Sequence, residues 1–282
     1  MAHTARVGNV EIVSLLDVDH WKLAGFFRAV DPDPALWETY RELYPEALCD
    51  GTSICTSATA YLVRAADRTI LVDTGLGPGP HQNIGGATGR LLEELHSIRV
   101  LPADIDLVII THLHYDHVGW NAGRDGGSAT ATFPRARYLV PQRDWDEFTP
   151  PQVLAQRSYL LGTVALHGMG LVDLVEGEQT ITPEVSLLPT PGHTPGHQSV
   201  VVTSGGEQAT IIGDAAHTPA QVHETDWSPN ADSDPRRSAG TRRQLFERAE
   251  TEHTLLCAGH FPHPGFGHLV RRTGRRIWQP LP

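Results

Sequence analysis

The sequence of 282 residues predicts a mixed α/β fold that forms a single domain. Short apolar segments typical of strands alternate along the chain with segments of helical spacing. Several predicted strands end in a glycine or a turn that is followed by a histidine or an aspartate. Functional side chains often lie in loops just beyond rigid strands, so these ends are expected to converge at one edge of a sheet.

The predicted elements of the N-terminal half are short and closely spaced. Residues 106–110 form a continuous apolar run, which predicts a strand that is buried on both faces. Leu91, Leu95 and Ile98 recur at helical spacing. The predicted elements are a strand at 10–16, a hairpin of strands at 59–64 and 69–72, a helix at 88–98 and the strand at 106–110.

The C-terminal half shows the same alternation of short strands and helices, which indicates an internal duplication. Its predicted elements are strands at 138–140, 185–188, 199–203 and 209–212, a helix at 241–250 and a strand at 254–256. Both halves contribute candidate residues to one site, so residues 1–282 are predicted to form one domain rather than two. A hydrophobic content of 40% permits a substantial core.

The segment at 17–55 is longer than a simple connection between two strands, and we interpret it as an N-terminal helical insertion. It contains many of the aromatic residues of the chain, namely Trp21, Phe26, Phe27, Trp37, Tyr40 and Tyr44. Three interpretations stay open: a cap that walls an apolar substrate pocket, a helix packed on the core, and a contact within a homodimer.

The most informative segment is 111–117, which reads Thr-His-Leu-His-Tyr-Asp-His. Imidazole and carboxylate groups are ligands that zinc and similar divalent metals prefer. Alternate residues of an extended strand end point the same way, so His112 and His114 can bind one metal, while Asp116 and His117 can reach a second. The alternative is a polar turn with satisfied histidines, but buried histidines rarely cluster in this way without a metal.

Three later residues complete the pattern. His193 lies in the turn at 191–197, Asp214 follows the apolar segment at 211–213, and His260 follows the strand at 254–256. The order of these seven residues resembles the dinuclear hydrolase branch of the metallo-β-lactamase superfamily, which includes methyl parathion hydrolase-like and N-acyl-homoserine lactone lactonase-like enzymes. The resemblance extends from about residue 10 to residue 268, and it implies a four-layer αβ/βα sandwich.

The resemblance also implies a role for each residue. His112, His114 and His193 would hold the first metal ion, Asp116, His117 and His260 the second, and Asp214 would bridge them. Two divalent ions per chain are therefore expected. Zinc is the expected metal, and manganese, iron and cobalt are alternatives. Asp73 matches an aspartate near the N-terminal end of the family's pattern, which does not bind the metal itself but orients a metal ligand.

The implied activity is hydrolysis by a hydroxide generated between the two metals. The expected substrate is a small, largely apolar ester, lactone or phosphotriester. Asp116, Asp214 and His217 are the candidate catalytic residues. His217 stands where the lactonases usually carry a tyrosine; its side chain could donate to an oxyanion or could instead cap the loop before Thr218. Two alternative functions stay open. One is a thioesterase of glyoxalase II type, and the other is a non-enzymatic binding protein whose fold is stabilised by a structural metal ion.

Composition excludes several other classes. The net charge of −11 disfavours nucleic-acid binding. Neither a membrane-spanning run nor a signal peptide is recognised, so we expect a cytoplasmic protein without a membrane partner. The three cysteines, Cys49, Cys55 and Cys257, form no Cys-x-x-Cys pair and are expected to be reduced.

Overall fold

Two seven-stranded sheets form the centre of the structure, a computed structural model that describes residues 3–27, 33–125 and 128–282. The strands are β1 (His3–Val7), β2 (Val10–Leu23), β3 (Ile54–Ala65), β4 (Arg68–Val72), β5 (Leu107–Ile109), β6 (Ala122–Asp125), β7 (Ser128–Ala131), β8 (Arg137–Pro141), β9 (Val172–Val175), β10 (Gln179–Thr180), β11 (Val185–Pro189), β12 (Gln198–Ser204), β13 (Glu207–Ile211), β14 (Leu255–Cys257), β15 (Phe266–Arg272) and β16 (Arg275–Pro280). The helices are α1 (Pro34–Leu43), α2 (Leu91–Ser97), α3 (Gln142–Phe148), α4 (Pro151–Leu154), α5 (Leu161–Gly168) and α6 (Pro235–Thr251), with short 3₁₀ turns between them.

Each half of the chain builds one sheet. The first has the strand order β1-β2-β3-β4-β5-β8-β9, and the second has the order β10-β11-β12-β13-β14-β15-β16. In the first sheet, β4, β5, β8 and β9 pair in parallel, and in the second β13 pairs in parallel with β14. The strands β6 and β7 form a separate hairpin.

The two sheets pack face to face, and helices cover their outer faces. Ile12, Val63 and Ile109 of the first sheet share a buried core with Val200 and Ile211 of the second. On the outer face of the first sheet, α2, α3 and α5 contribute to a second core, and on that of the second sheet α1 and α6 contribute to a third. This is the expected four-layer αβ/βα sandwich, and the mixed α/β prediction is confirmed.

The strand β5 shows how the sequence pattern encodes this arrangement. Val108 packs beneath the helices, and Ile109 faces the other sheet. Both side chains are fully buried, as predicted for a continuous apolar strand. The hairpin of β3 and β4 is also confirmed. The predicted helix at 241–250 is part of α6, which begins earlier because Asp234 caps its N-terminus, accepting from Arg237 N, and a proline follows.

The N-terminal segment departs from its predicted boundary. The strand β2 continues through Asp17 to Leu23, with irregularities in its register against β3. Of the described residues in the predicted insertion, those between Leu23 and Ile54 lie outside the strands of the first sheet, and they include the helix α1. Trp37 and Tyr40 are buried and pack against Trp227, so the core interpretation applies to these two aromatics. The predicted insertion also includes residues 28–32, which lie outside the described residues.

The cysteine prediction is wrong for two of the three residues. Cys49 and Cys55 form a disulfide, with their Cα atoms 5.4 Å apart. Backbone hydrogen bonds from Cys49 N to Ser53 O and from Cys55 N to Ala47 O bring these segments together. The three cysteines form neither a Cys-x-x-Cys pair nor an even set, so no pattern in the sequence indicated this local pairing. Cys257 is free and buried, as expected.

Among the described residues, no helix combines the length and the apolar character needed to span a membrane.

Candidate metal centre

Four loops from both sheets meet at one edge of the sandwich and bring all seven candidate ligands together. The loops follow β5, β11, β13 and β14, and they carry His112, His193, Asp214 and His260. The ligand atoms form overlapping groups in which all atoms lie within 4.8 Å of one another. The convergence predicted from the strand ends is therefore present, while the assignment of each residue to an ion stays a prediction.

The first-ion group consists of His112, His114 and His193. His114 Nδ1 lies 3.1 Å from His112 Nε2 and 2.9 Å from His193 Nε2. Ligand nitrogens about 2.0–2.1 Å from a tetrahedral zinc ion would lie about 3.3 Å apart, so the spacing is close to that of a ligand set.

The second-ion group consists of Asp116, His117 and His260. His260 Nε2 lies 3.6 Å from an oxygen of Asp116, and His117 Nε2 lies 3.9 Å from the same oxygen. Asp214 lies between the groups. Its Oδ2 is 3.1 Å from His193 Nε2, and its Oδ1 is 3.1 Å from both His117 Nε2 and His260 Nε2. One carboxylate thus offers one oxygen to each group.

Unsatisfied buried atoms test whether this cluster fits a metal. His117 Nε2, Asp214 Oδ1 and His260 Nε2 are all buried and lack a hydrogen-bond partner. Buried polar atoms normally have partners, because leaving them without one costs free energy. These three atoms face one another, and a divalent ion between them would satisfy all three at once. The residues therefore fit the metal that the sequence predicts.

The remaining nitrogen of most imidazoles is held by a neighbouring acceptor. His117 Nδ1 donates to Asp73 at 2.8 Å, His193 Nδ1 donates to Asp232 at 2.8 Å, and His260 Nδ1 donates to Ser57 O at 2.7 Å. Such contacts fix the tautomer and the ring orientation of a metal ligand. The role predicted for Asp73 agrees with this geometry.

Asp232, Asp144 and His197 are neighbours of the ligands that sequence reasoning did not assign. Asp232 is fully buried, as is the Arg242 side chain beside it. His197 accepts a hydrogen bond from Asp214 N at 2.9 Å, while its Nδ1 donates to Thr190 O. The only sequence signal for His197 was its position in the turn at 191–197. Asp232 and Asp144 lie outside every motif, so no local pattern pointed to them.

Burial and the carboxylates set the protonation of the cluster. Burial lowers the pKa of His112 and His114 well below the usual histidine range, which leaves both rings neutral. Burial alone would raise the pKa of Asp214, but the imidazoles of His117 and His260 outweigh it and hold that pKa well below its usual range. A neutral imidazole and an ionised carboxylate are the forms that bind metal.

The pKa values of the three imidazoles nearest the carboxylates are raised rather than lowered. Burial opposes the shift, but Asp214 raises the pKa of His117 and His260, and Asp214 with Asp232 raises the pKa of His193 to about 9. A proton and a metal ion compete for the same ring nitrogen, so metal binding at these residues would release protons.

His217 lies inside the cluster rather than at its rim. Its side chain is buried, and its Nε2 lies 2.9 Å from Asp214 Oδ2. The ring stacks on His260 with centroids 5.1 Å apart and meets the edge of Phe26 at 5.0 Å. Burial lowers the pKa of His217 to about 4, so the ring is neutral near pH 7. The loop hydrogen bonds from His217 N and Thr218 N go to Gln221, so the imidazole itself does not cap this loop.

Aromatic side chains surround the ligands on two sides. Tyr115 lies between His114 and Asp116 in the chain and makes edge contacts with Trp21 at 5.9 Å and with Tyr159 at 6.1 Å. Phe148 stacks on His114 at 6.0 Å, with the Arg157 guanidinium over the Phe148 ring at 4.3 Å. Apolar side chains therefore border the cluster of candidate ligands.

Fold and site together define a metal-binding protein of αβ/βα architecture. Residues 54–260 match the sequence profile of the metallo-beta-lactamase superfamily. This match covers more than half of the chain, and the chain belongs to that superfamily.

Similar proteins agree with this assignment. The N-acyl homoserine lactonase AiiA of Bacillus thuringiensis subsp. kurstaki is 28% identical over 232 residues, which cover 76% of this chain and 85% of that protein. A solved structure of AbOPH, a hydrolase of the beta lactamase superfamily, is 26% identical with a TM-score of 0.82, covering 99% of this chain and 97% of the other.

A second solved structure has the same TM-score. It is AidC, a dizinc quorum-quenching lactonase in complex with a product, N-hexnoyl-L-homoserine, with a TM-score of 0.82 and coverage of 100% and 97%. At 21% identity this likeness concerns the fold alone. Family membership and the ligand cluster make the chain a metal-dependent hydrolase.

Proposed function

We propose that this hydrolase cleaves the ester bond of a small, largely apolar lactone or open-chain ester at a centre of two divalent ions. The observation that carries the proposal is the position of Asp214, whose two oxygens face the two groups of imidazoles. A carboxylate in this position can bridge two ions. The named relatives that are lactonases support the choice of an ester-type bond, and phosphotriesters belong to the same proposal as a third substrate type.

Each residue has a defined task in this proposal. His112, His114 and His193 hold one ion, Asp116, His117 and His260 hold the other, and Asp214 joins them. When bound, the two ions would lower the pKa of a shared water and polarise the bond under attack. Asp73 and Asp232 keep His117 and His193 in the orientation that presents Nε2 to an ion. Asp116 and Asp214 would therefore contribute to catalysis by holding the metal ions.

The chain can also favour the transition state directly. His217 is a neutral donor beside Asp214, and as the substrate oxygen gains charge its N–H could turn from the carboxylate to that oxygen. Trp21, Tyr115 and Phe26 provide apolar surface next to the ligands, which favours a substrate with an apolar acyl chain.

Zinc is the ion we propose, because the ligands are imidazole and carboxylate and because AidC is described as a dizinc enzyme. We retain the proposals of a cytoplasmic location and of a homodimer. Cell fractionation of the native host would test the location, and sedimentation analysis would test the homodimer.

A substrate panel tests the proposed function. Protein loaded with a defined metal should be assayed with acyl-homoserine lactones of several chain lengths, aryl esters, thioesters and phosphotriesters. We expect the largest kcat/KM for a lactone or an ester with an apolar chain. A kcat/KM for thioesters that exceeds all others would favour the thioesterase alternative, and no turnover of any substrate by fully loaded protein would contradict the proposal.

A further inference from the structure

We propose that Asp144 is a positioning residue that sets the distance between the loop of His112 and His114 and the turn of His193. The proposal rests on the proposed metal centre, because those three histidines form the first-ion group. Asp144 lies at the start of α3, on the first sheet, and no sequence motif includes it. Its side chain is fully buried.

The carboxylate of Asp144 accepts three hydrogen bonds from two loops. Leu113 N donates to Oδ2 at 3.0 Å, and the Thr194 hydroxyl donates to the same oxygen at 2.8 Å. Gly196 N donates to Oδ1 at 2.6 Å. Burial raises the pKa of Asp144, and these three donors oppose that shift.

The donors occupy informative positions in the chain. Leu113 lies between His112 and His114, after β5 of the first sheet, and Thr194 directly follows His193, after β11 of the second sheet. Asp144 therefore joins two loops that come from different sheets and carry all three imidazoles of the first-ion group. Those imidazole nitrogens lie 2.9–3.1 Å apart, so a small shift of either loop would change the ligand geometry.

The chain makes room for this contact at Gly196. A Cβ atom at that position would lie 2.7 Å from Asp144 N and 2.8 Å from Asp144 Oδ1. A side chain there would push the turn away from the carboxylate. The second-ion group has its own acceptors, Asp73 and Ser57 O, and none of its residues bonds to Asp144. A loss of Asp144 should therefore weaken one ion more than the other.

A general structural role would have a different consequence. If Asp144 only stabilised the fold, its removal would lower the melting temperature and weaken both ions together or neither. Selective weakening of one ion separates the two roles. Metal binding is measured without substrate, so the result does not depend on which substrate the enzyme cleaves.

The experiment uses matched substitutions at Thr194, which is fully buried. Thr194→Val removes the hydroxyl that donates to Asp144 and keeps the shape, whereas Thr194→Ser keeps the hydroxyl. Thr254→Val is the control, because it removes a buried hydroxyl that donates to Gln208 far from the ligands. Asp144→Asn is the stronger variant, because its amide nitrogen faces donors that need an acceptor. Co²⁺ affinity is measured by competition with a chromophoric chelator, and each ion is followed by its visible absorption.

We expect Thr194→Val to weaken one of the two Co²⁺ ions about tenfold and Asp144→Asn to weaken it about ten- to a hundredfold, the range found when an outer partner of a ligand is removed. The spectrum of that ion should change, while Thr194→Ser and Thr254→Val keep wild-type values. If Asp144→Asn does not fold, the Thr194 pair decides. Unchanged affinities and spectra in folded Thr194→Val, or equal weakening of both ions, would overturn the proposal. A wild-type protein that binds two ions but hydrolyses no substrate would contradict the proposed function and leave this inference standing.

Discussion

Asp73 lies 2.8 Å from His117 and accepts the hydrogen bond of its Nδ1, and the same carboxylate also accepts from Thr111 N and from the Thr111 hydroxyl. That hydroxyl in turn lies 3.1 Å from His112 Nδ1 and can accept its proton. One carboxylate therefore orients an imidazole of each ion group. Asp73 does so from a left-handed backbone conformation, with φ of 61°, at the end of β4. Such a conformation is uncommon for residues other than glycine, and aspartate is among the side chains that adopt it most readily.

Replacing Asp73 by asparagine should therefore affect both ions. An amide can orient its oxygen toward only one set of donors, so His117 or Thr111 loses its acceptor. We expect metal affinity and kcat/KM to fall about ten- to a hundredfold, as measured by chelator competition and by steady-state kinetics. Asp106→Asn is the control, because Asp106 also accepts a backbone hydrogen bond, from Thr69 N, but lies at the opposite end of β5. Wild-type metal affinity in Asp73→Asn would show that the contact is dispensable.

Replacing Asp214 by alanine should remove the proposed bridge. Both oxygens are lost, and five imidazoles lose the carboxylate that they face. We expect elemental analysis to give fewer than two ions per chain and kcat to fall at least about a hundredfold. Exhaustive chelation of the wild type should likewise abolish hydrolysis, and added metal should restore it. Two ions and full activity in Asp214→Ala would mean that the bridge has been misassigned.

The sequence predicted the ligand cluster because its residues lie in short local patterns. His112, His114, Asp116 and His117 are within one strand end and turn, and that spacing is visible without a structure. The apolar run of β5 predicted a strand that is buried on both faces, whereas the four-layer sandwich was implied by the resemblance to the superfamily.

The supporting residues could not be predicted in this way. Asp144 touches residues that are 31, 50 and 52 positions away in the sequence, and Asp232 contacts His193 at a separation of 39. A single buried aspartate has no pattern, and only the tertiary fold shows what it accepts. The end of β2 was misplaced for another reason. The irregular register after Leu16 breaks the strict alternation that marks a strand.

The disulfide between Cys49 and Cys55 predicts a definite thiol count. Protein denatured without reductant should titrate one thiol, that of Cys257, and reduced protein should titrate three. Cys49→Ser should destabilise the fold by about 2 kcal/mol, because the bond closes only a short loop. A Cys257→Ala variant serves as the control and should titrate none before reduction. Three thiols in unreduced protein would contradict the pairing.

The ion pairs of Glu250 predict a pH-dependent contribution to stability. Glu250 on α6 pairs with Arg271 and Arg276 of the neighbouring strands, and its side chain is 17% exposed. Partial burial opposes the shift, but the hydrogen bonds from Arg276 and Arg271 hold the pKa of Glu250 below its usual range. A depressed carboxyl pKa stabilises the fold above the unfolded value, about 4.3, and this contribution is lost as the pH falls through the folded pKa.

Glu250→Gln should accordingly lower the free energy of unfolding at pH 7 by up to about 1 kcal/mol, with the difference from wild type shrinking below about pH 4. Denaturant unfolding at several pH values would measure it. Glu252→Gln, which breaks a more exposed pair with Arg248, should have a smaller effect. A difference that stays constant from pH 7 to pH 3 would show that the carboxylate charge contributes nothing.

His217 is the residue on which we expect the substrate preference to depend most. Its backbone N–H goes to Gln221, so the loop does not need the imidazole, yet the ring is buried against Asp214 and stacks on His260. Its Nδ1 has no hydrogen-bond partner, which is unusual for a buried polar atom with only a structural role. A ring in this place can orient Asp214 or donate to the oxygen that gains charge in the transition state.

His217→Ala should therefore lower kcat by roughly ten- to a thousandfold while the metal content stays at two ions. His217→Tyr, which introduces the residue that lactonases of the resembled branch usually carry at this place, should recover part of kcat and shift the preference toward lactones. Gln221→Ala is the control, because it removes the hydrogen bonds that hold the loop but leaves the ring, and its effect measures the loop alone. A loss of metal in His217→Ala would instead make the ring a ligand. Wild-type kcat in His217→Ala on every lactone, ester and phosphotriester would contradict a catalytic role of the ring. The ions alone would then stabilise the transition state, because His217 is the described side chain outside the two ion groups that contacts Asp214 Oδ2.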